Sequence, residues 1–264
     1  MDIKQYVQIR KENLRAVTAT LKRIPSLCIV QVNDDPASNT YIKGKLADAA
    51  EVGINAEVKK FPTSISEEQL LKEIDLLNND PTIDGFIVQM PLPKQIDEEK
   101  VKVAVTPLKD VDGFHPLSKF KACTPLGIMN YLSYSGVSFT GKNAVVIGRS
   151  NIVGKPMAKL LLNANMNVTI LHSKTTPEDM RRYLANADII VVAVGKKYFL
   201  DHSYVLKESA VVVDVGINRL EGVTYGDVEP NLKVALQTPV PGGVGLLTRL
   251  TLLENLLEAY NNGI

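Results

Sequence analysis

The sequence predicts an α/β protein of two lobes around a cleft, each lobe with its own sheet. Short apolar runs that suit buried strands alternate along the chain with longer stretches in which apolar residues recur every three or four positions, as in amphipathic helices. The length of 264 residues suits one large domain or two small ones. Strands that alternate with helices favour parallel pairing, so we expect ligands at the carboxyl ends of the strands.

The composition is that of an ordinary globular protein. Apolar residues make up 45%, and 30 basic against 29 acidic residues leave a formal net charge of +1. This balance gives no indication of a nucleic-acid or anionic-membrane surface. No apolar run is long enough to span a bilayer, and the N-terminus lacks the apolar core of a secretory signal. Cys28 and Cys123 cannot form a disulfide framework or a cysteine-rich metal site, so we expect a cytoplasmic protein that binds no metal.

The N-terminal part of the chain repeats the order strand, helix, strand. An amphipathic helix over residues 2–23 comes first. Ser38 is predicted to cap the second helix and Gly53 to end it, and Ser64 or Ser66 is predicted to cap the third. The predicted strands are 27–32, 54–61 and 84–89, and the predicted helices are 38–51 and 67–77.

A second series of strands and helices begins at Asn143. Residues 94–125 form a connection with a short helix near 98–103, and a linking helix follows over 127–135. The predicted strands are 143–148, 167–171, 188–194, 210–215 and 233–237, and the predicted helices are 153–163, 177–185 and 244–260. This alternation predicts a second parallel sheet.

Residues 143–156, NAVVIGRSNIVGKP, have the order strand, tight turn, helix. Such a turn can bring phosphates to backbone N–H groups and to the positive end of a helix dipole. Gly148 and Gly154 bracket five residues, and Arg149 and Ser150 stand where the usual fingerprint has its second glycine. The stretch predicts that the second lobe is a Rossmann-like, doubly wound parallel sheet that binds a dinucleotide. A glycine turn without a ligand has the same local pattern.

The end of the next strand indicates which dinucleotide binds. Sites for NAD usually carry an acidic residue there, which holds the ribose hydroxyls. Here the strand runs into His172-Ser173-Lys174-Thr175, which contains no acid. Arg149, Ser173 and His172 could instead hold a 2′-phosphate through charge-assisted hydrogen bonds, which favours NADP over NAD. A loop histidine that faces water is the alternative for His172.

Four side chains of the first lobe could converge on one pocket, although their spacing alone does not establish it. Tyr41 and Lys45 lie four residues apart and share one face of a predicted helix. Gln89 ends a buried strand, and Asp112 lies in a loop beside a glycine. A lysine kept from bulk water has a lowered pKa, so it can act as an acid or a base near neutrality. The spacing of Tyr41 and Lys45 also suits an ordinary surface pair.

A glycine-rich stretch, TPVPGGVG at residues 238–245, joins the second lobe to the last helix. Its two prolines stiffen the chain, and its three glycines let a ligand approach the backbone. A hinge or a helix-entry loop would have the same composition. The three histidines form no Ser–His–Asp or Cys–His set, and no metal-ligand cluster is present in the sequence pattern.

A series of motifs follows in a fixed order: Tyr41-x3-Lys45, GFIVQMPLP at 85–93, KDVDGF at 109–114, TPxG at 124–127, GRSxxVGxP at 148–156, HSKT at 172–175 and PVPGGVG at 239–245. Taken together, they resemble the methylenetetrahydrofolate dehydrogenase/methenyltetrahydrofolate cyclohydrolase family over residues 27–260. The resemblance implies two reactions of one-carbon metabolism. The first is hydride transfer from 5,10-methylenetetrahydrofolate to NADP⁺, and the second is hydrolysis of the methenyl product to 10-formyltetrahydrofolate.

The resemblance also implies roles for particular residues. Lys45 would be the acid and base of the hydrolysis, and Gln89 would hydrogen-bond to it. Tyr41 would stack on or orient the folate ring system, and Asp112 would hold the donor edge of the pterin. The implied cofactor-binding residues are Gly148, Arg149, Ser150, Val153, Gly154, His172 and Ser173, and the implied substrate-binding residues are Tyr41, Asp112, Pro239, Gly242 and Gly243.

The resemblance further implies a division into domains. A folate-binding catalytic domain would comprise residues 1–126 plus 246–264, and an NADP-binding Rossmann-like domain would comprise residues 127–245. The family is commonly dimeric through the cofactor-binding part, which implies a homodimer.

The chain departs from the family pattern at two places near these residues. The connection over residues 113–123 is shorter than usual and borders the expected folate site. Leu246 replaces a proline, and Arg249 lies nearby. A dehydrogenase without cyclohydrolase activity and a non-catalytic NADP- or folate-binding paralogue are alternative functions. The presence of Lys45 and Gln89 argues against the first of them.

Overall fold

The computed structural model describes residues 2–263, which form two units. The first unit consists of Gln8–Cys123 and the residues from Arg249 onward, and the second consists of Thr124–Thr248 and the N-terminal residues up to Val7. Each unit contains a parallel sheet with helices, so the predicted α/β class is confirmed. Among the described residues, no helix has the length and apolar character needed to cross a membrane.

The first unit contains a three-stranded parallel sheet. The N-terminal helix α1 (Ile3–Thr18) leads into it, and the last helix, α8 (Val244–Asn261), returns to it from Arg249. Its other elements are β1 (Ser26–Gln31), α2 (Pro36–Glu51), β2 (Asn55–Lys60), α3 (Glu67–Asn79), β3 (Gly85–Val88) and α4 (Glu98–Ala104). The strand order is β2-β1-β3, so β1 is central, and all six of its residues are buried. The carboxyl ends of β1 and β3 therefore point to the same edge.

Helix boundaries in the first unit correct two predictions. The cap of α2 is Asp35 rather than Ser38, because the Asp35 carboxylate accepts the Ser38 backbone N–H at 2.8 Å and Pro36 suits the first turn. The end of α1 is Thr18 rather than residue 23, and the Thr18 hydroxyl donates to the Val52 carbonyl at 2.5 Å. Ser66, one of the two predicted candidates, caps α3.

The second unit contains a five-stranded parallel sheet. Its elements are α5 (Cys123–Tyr134), β4 (Asn143–Ile147), α6 (Gly154–Asn163), β5 (Asn167–Leu171), α7 (Pro177–Asn186), β6 (Ile189–Val192), β7 (Val211–Asp214), β8 (Asn218–Leu220), β9 (Val223–Tyr225) and β10 (Leu236–Gln237). The order is β10-β7-β6-β4-β5, so the chain reverses direction across the sheet at β4. A ligand crevice is expected at the carboxyl end of the strand where the order reverses.

The hairpin of β8 and β9 has no counterpart in the predicted elements. Its strands are three residues each and pair antiparallel, apart from the main sheet. Glu221 and Gly222 join them with φ values of +50° and +80°, the signs that a two-residue hairpin turn requires. The predicted strand over 233–237 is present only as Leu236–Gln237. Strands this short carry too few residues for a period of two to be seen in the sequence.

Candidate active site

A buried amine lies at the carboxyl edge of the first unit's sheet. Lys45 on α2 is only 4% exposed, and its Nζ donates to Oε1 of Gln89 at 3.0 Å. Gln89 directly follows β3, where its backbone N–H donates to the Val30 carbonyl, and its Nε2 donates to the Met90 carbonyl at 2.9 Å. The ring centroid of Tyr41 lies 5.0 Å from the Lys45 Nζ. The sheet and α2 thus bring together three of the four predicted residues.

Asp112, the fourth predicted residue, interacts with Lys45 through its charge. Burial lowers the pKa of Lys45, while Asp112 and Cys123 oppose the shift and Arg249 adds to it. Burial likewise raises the pKa of Asp112, and the charge of Lys45 opposes that shift. An amine with a lowered pKa has an accessible neutral form, which can take a proton from water.

The loop that carries Asp112 is held at both of its ends. The Asp112 carbonyl accepts the backbone N–H of Cys123 at 3.2 Å. Asn255, a buried residue of α8, donates its Nδ2 to the carbonyls of Val111 at 2.9 Å and Lys121 at 3.2 Å. Sequence reasoning missed Asn255. The sequence did contain a signal for it, an amide within the apolar run of the last helix. A buried amide needs hydrogen-bond partners, so such a residue is expected to bond to a neighbouring segment.

The nucleotide turn of the second unit requires glycine at two positions. Gly148 follows β4 with φ +117°, and a Cβ there would collide with the Ala193 carbonyl oxygen at the end of the neighbouring strand. A Cβ at Gly154 would collide with the Gly148 carbonyl oxygen and would lie 2.8 Å from the Arg149 Cα. The strand, the turn and α6 therefore approach more closely than any residue with a side chain would allow.

Ser150 and Val153 shape the start of α6. The Ser150 Oγ accepts the backbone N–H groups of Val153 at 3.1 Å and Gly154 at 3.3 Å. Val153 is the residue before the helix and supplies no side-chain cap of its own. The side chains of Arg149 and Ser150 are exposed beside this helix start. The positive end of α6 and an exposed guanidinium together suit an anionic ligand.

His172 and Ser173 lie at the same edge of the sheet as the turn. β5 pairs with β4, and the Gly148 N–H donates to the carbonyl of Leu171, the residue before His172. The Nδ1 of His172 accepts the Lys174 N–H at 3.2 Å, which places the proton of a neutral ring on Nε2. His172 is half-buried and Ser173 is exposed. The seven predicted cofactor-binding residues therefore cluster at the carboxyl ends of β4 and β5.

The glycine-rich loop of the second unit contains Pro239, Gly242 and Gly243. Gly242 has φ +89°, and a Cβ at Gly243 would collide with the Pro239 carbonyl oxygen. A Cβ at Gly242 would lie 3.3 Å from the Cε of Lys4, a residue of α1 within the same unit. This loop is accordingly a tight turn whose glycines are required by its own backbone.

Two buried carboxylates near the start of this loop, Asp214 and Asp227, were not predicted from the sequence. Asp214 ends β7 and accepts backbone N–H groups of Gly216, Asp227 and Val228 at 2.9–3.0 Å. The carboxylate of Asp227 accepts the N–H groups of Val194, Gly195 and Lys196 at 2.7–2.8 Å. The two residues are 2% and 0% exposed. Together they fix the loops that follow β6 and β7 at the carboxyl edge of the sheet.

Asp214 is expected to make the protein less stable as the pH rises from 4 to 7. Burial raises its pKa from 3.8 to about 6, and the charge of Asp227 adds to this shift against the opposing backbone hydrogen bonds. Well below pH 3.8 the carboxyl is protonated in both the folded and unfolded states, whereas above its folded pKa the buried charge destabilises the folded state. The contribution to the free energy of unfolding falls by about 3 kcal/mol in total, and most of this fall lies between pH 4 and 7.

Urea unfolding of the native protein and of Asp214→Asn at a series of pH values measures this contribution. The variant loses acceptor capacity at every pH, which is a constant offset, but its free energy of unfolding lacks the decline due to Asp214. Parallel curves for the two proteins between pH 4 and 7 would contradict the assignment.

Comparison with known protein families matches nearly the whole chain. Residues 1–112 match the catalytic-domain model described as tetrahydrofolate dehydrogenase/cyclohydrolase, and residues 122–263 match the corresponding NAD(P)-binding domain model. The chain belongs to the tetrahydrofolate dehydrogenase/cyclohydrolase family. The family prediction made from the motifs is therefore confirmed.

Relatives in this family are similar along their full length. The bifunctional protein FolD of Halalkalibacterium halodurans is 45% identical over 98% of this chain and 97% of its own, and that of Acidovorax ebreus is 50% identical over 96% and 94%. The bifunctional enzyme FolD of Campylobacter jejuni superposes with a TM-score of 0.94 at 41% identity, covering 99% and 98% of the two chains. The Trypanosoma brucei enzyme, solved with NADP cofactor and an inhibitor, superposes with a TM-score of 0.94 at 30% identity, covering 99% and 97%.

Proposed function

We propose that this protein oxidises 5,10-methylenetetrahydrofolate to 5,10-methenyltetrahydrofolate with NADP and hydrolyses the product to 10-formyltetrahydrofolate. The buried Lys45–Gln89 pair, in a chain of this family, is the observation that carries the proposal. A dehydrogenase alone has no need of a buried amine with a lowered pKa, whereas hydrolysis needs a base for water. The pair therefore favours the bifunctional enzyme over a monofunctional dehydrogenase.

Lys45 would move the protons of the hydrolysis. Its neutral amine takes a proton from the water whose oxygen bonds to the methenyl carbon. The bond from that carbon to N5 then breaks as Lys45 returns the proton to N5. The hydroxyl on the carbon loses its own proton to solvent, which leaves a neutral formyl group on N10 and one proton released overall. Gln89 Oε1 accepts one N–H of the amine and thereby orients its lone pair.

Tyr41 and Asp112 would hold the substrate. The Tyr41 ring, already beside the Lys45 amine, offers a face on which the folate ring system stacks. The Asp112 carboxylate would accept hydrogen bonds from the donor edge of the pterin. Burial raises the pKa of Asp112, and donors supplied by a substrate would favour its ionised form.

The second unit would bind NADP. Gly148, Ser150, Val153 and Gly154 would set the turn and the start of α6 against the pyrophosphate. The close backbone approach that requires glycine at 148 and 154 supports this fit. Arg149, His172 and Ser173 would hold the 2′-phosphate. NADP, when bound, accepts the hydride. Pro239, Gly242 and Gly243 of the glycine-rich loop would be substrate-binding residues.

We also propose that the protein is a cytoplasmic homodimer associated through the second unit. The family resemblance supports the dimer, and the cysteine usage supports a reducing compartment. Sedimentation equilibrium at micromolar concentration tests the assembly. A mass equal to that of one chain at all concentrations would contradict it.

A spectrophotometric assay tests the activity. The protein, given 5,10-methylenetetrahydrofolate and NADP, should form NADPH, and in a separate assay it should accelerate the loss of methenyltetrahydrofolate absorbance. Parallel reactions with NAD should be slower at equal concentration. NADPH formation without accelerated hydrolysis would favour the monofunctional dehydrogenase. The absence of both activities, with either cofactor, would favour a non-catalytic binding protein.

A further inference from the structure

Arg249 lies directly beside the residue that precedes Lys45. It is the first residue of α8 within the first unit, and its guanidinium packs on Gly44. A Cβ at Gly44 would collide with Nη1 and would lie 2.9 Å from Cζ of Arg249. The absence of a side chain at Gly44 therefore lets a cation lie against the turn of α2 that carries Lys45.

A group of charged side chains fixes this cation. The Nε of Arg249 lies 2.7 Å from Oδ2 of Asp48, as an ion pair whose N–H is poorly aligned for a hydrogen bond. The other oxygen of Asp48 accepts from Lys11 Nζ at 2.5 Å, and Lys11 also binds Glu51 at 2.8 Å. Asp48 and Lys11 are 7% and 9% exposed. The two oxygens of Asp48 face Lys11 and Arg249, and Asp48 forms no ion pair with Lys45.

We propose that Arg249 is a positioning residue for the hydrolysis, holding a fixed positive charge beside Lys45 so that its amine stays neutral. This inference rests on the proposed function. The groups that face Lys45 are Gln89 and Tyr41, which are uncharged, and Asp112, Cys123 and Arg249. An ionised Asp112 stabilises the ammonium form of Lys45, and Arg249 opposes it. The cation thus lets Asp112 serve as a carboxylate for the pterin without converting the base into an ammonium ion.

The pH dependence of methenyltetrahydrofolate hydrolysis tests this role. Arg249→Gln removes the charge but retains a group that can hydrogen-bond to Asp48, and Arg249→Lys retains the charge. In Arg249→Gln the ascending limb of kcat/KM should move about one pH unit higher, so that the rate well below the midpoint falls about tenfold. The limb of Arg249→Lys should stay near that of the native protein.

A third variant gives a shift of the opposite sign. Asp48→Asn removes the anion that partly offsets Arg249, so the limb should move to lower pH. Because it keeps the charge of Arg249 and leaves an amide oxygen at residue 48 to contact the guanidinium, it keeps the inference testable if Arg249→Gln fails to fold. Three results would overturn the inference. The ascending limb of the pH profile could stay unmoved in Arg249→Gln, or it could move as far in Arg249→Lys as in Arg249→Gln. It could also move to higher pH in Asp48→Asn.

The native protein separates this inference from the proposed function. If the native protein does not hydrolyse methenyltetrahydrofolate, the proposed function fails and Arg249 has no reaction to position. If it does hydrolyse the substrate while the variants give the overturning profiles, only the role of Arg249 fails. NADPH formation by each variant, and its thermal unfolding, show whether the fold is retained.

Discussion

Lys45→Met should reduce methenyltetrahydrofolate hydrolysis by a factor of about 10²–10⁴, the range that a general acid–base group contributes. Methionine nearly fills the buried volume of Lys45 but offers no amine to take a proton from water. NADPH formation should persist at a measurable rate, because hydride transfer does not pass a proton through this side chain. Absorbance assays of the two reactions, run separately on one preparation, measure how far hydrolysis falls relative to NADPH formation.

Lys43→Met is the matched control for this variant. Lys43 lies on the same helix but is exposed, so the same substitution removes a charge without touching the buried pair. We expect both of its activities to stay near those of the native protein. Hydrolysis that continues unchanged in Lys45→Met would show that the proposed role of Lys45 is wrong. A folded variant that has lost both activities would instead indicate that Lys45 binds the substrate.

Arg149→Ala should raise the KM for NADP by a factor of about 10–100 and change the KM for NAD little. The expected loss corresponds to one hydrogen bond between charged groups, about 1.5–3 kcal/mol. NAD lacks the 2′-phosphate, so removal of the guanidinium eliminates no interaction with NAD. Steady-state kinetics with each cofactor at saturating methylenetetrahydrofolate measures both values.

Lys159→Ala provides the control for the change in net charge. Lys159 is exposed on α6, the helix that follows the turn, so this variant loses one positive charge in the same unit. Its KM values should stay close to the native ones. Equal losses for NADP and NAD in Arg149→Ala would contradict the 2′-phosphate assignment, since they would place Arg149 on a part that both cofactors share.

Local patterns predicted the parts of the structure that depend on local physics. Gly148 and Gly154 were recognisable because close backbone approach leaves only one residue type possible. Ser66 was recognisable as one of two candidate caps, because serine is a residue type that accepts a backbone N–H at the start of a helix. The prediction of Ser38 as the cap of α2 was wrong within the same rule, because Asp35 is also a capping residue type and Pro36 suits the first turn that follows it.

The residues that the sequence did not predict act over long distances along the chain. Asn255 contacts a loop more than 130 residues before it, and Arg249 packs on a helix some 200 residues before it. Asp214 and Asp227 are separated in the sequence by the hairpin of β8 and β9, whose strands are too short to show the alternation of apolar and polar residues that predicts a strand. Motif resemblance supplied Lys45, Gln89 and Asp112 as a set. Their positions in the predicted elements suggested that they could converge on one pocket, but spacing alone did not establish it.

The loop over residues 113–123, which follows Asp112, is expected to tolerate changes in length during evolution. Its ends are tied by Cys123 and Asn255, and Leu117 at its tip is 76% exposed. Doubling the length of a flexible loop costs only about 0.6 kcal/mol in closure entropy. Insertions and deletions at the tip can therefore accumulate at little thermodynamic cost, because the anchored ends keep the carboxylate of Asp112 in place while the segment between them changes length.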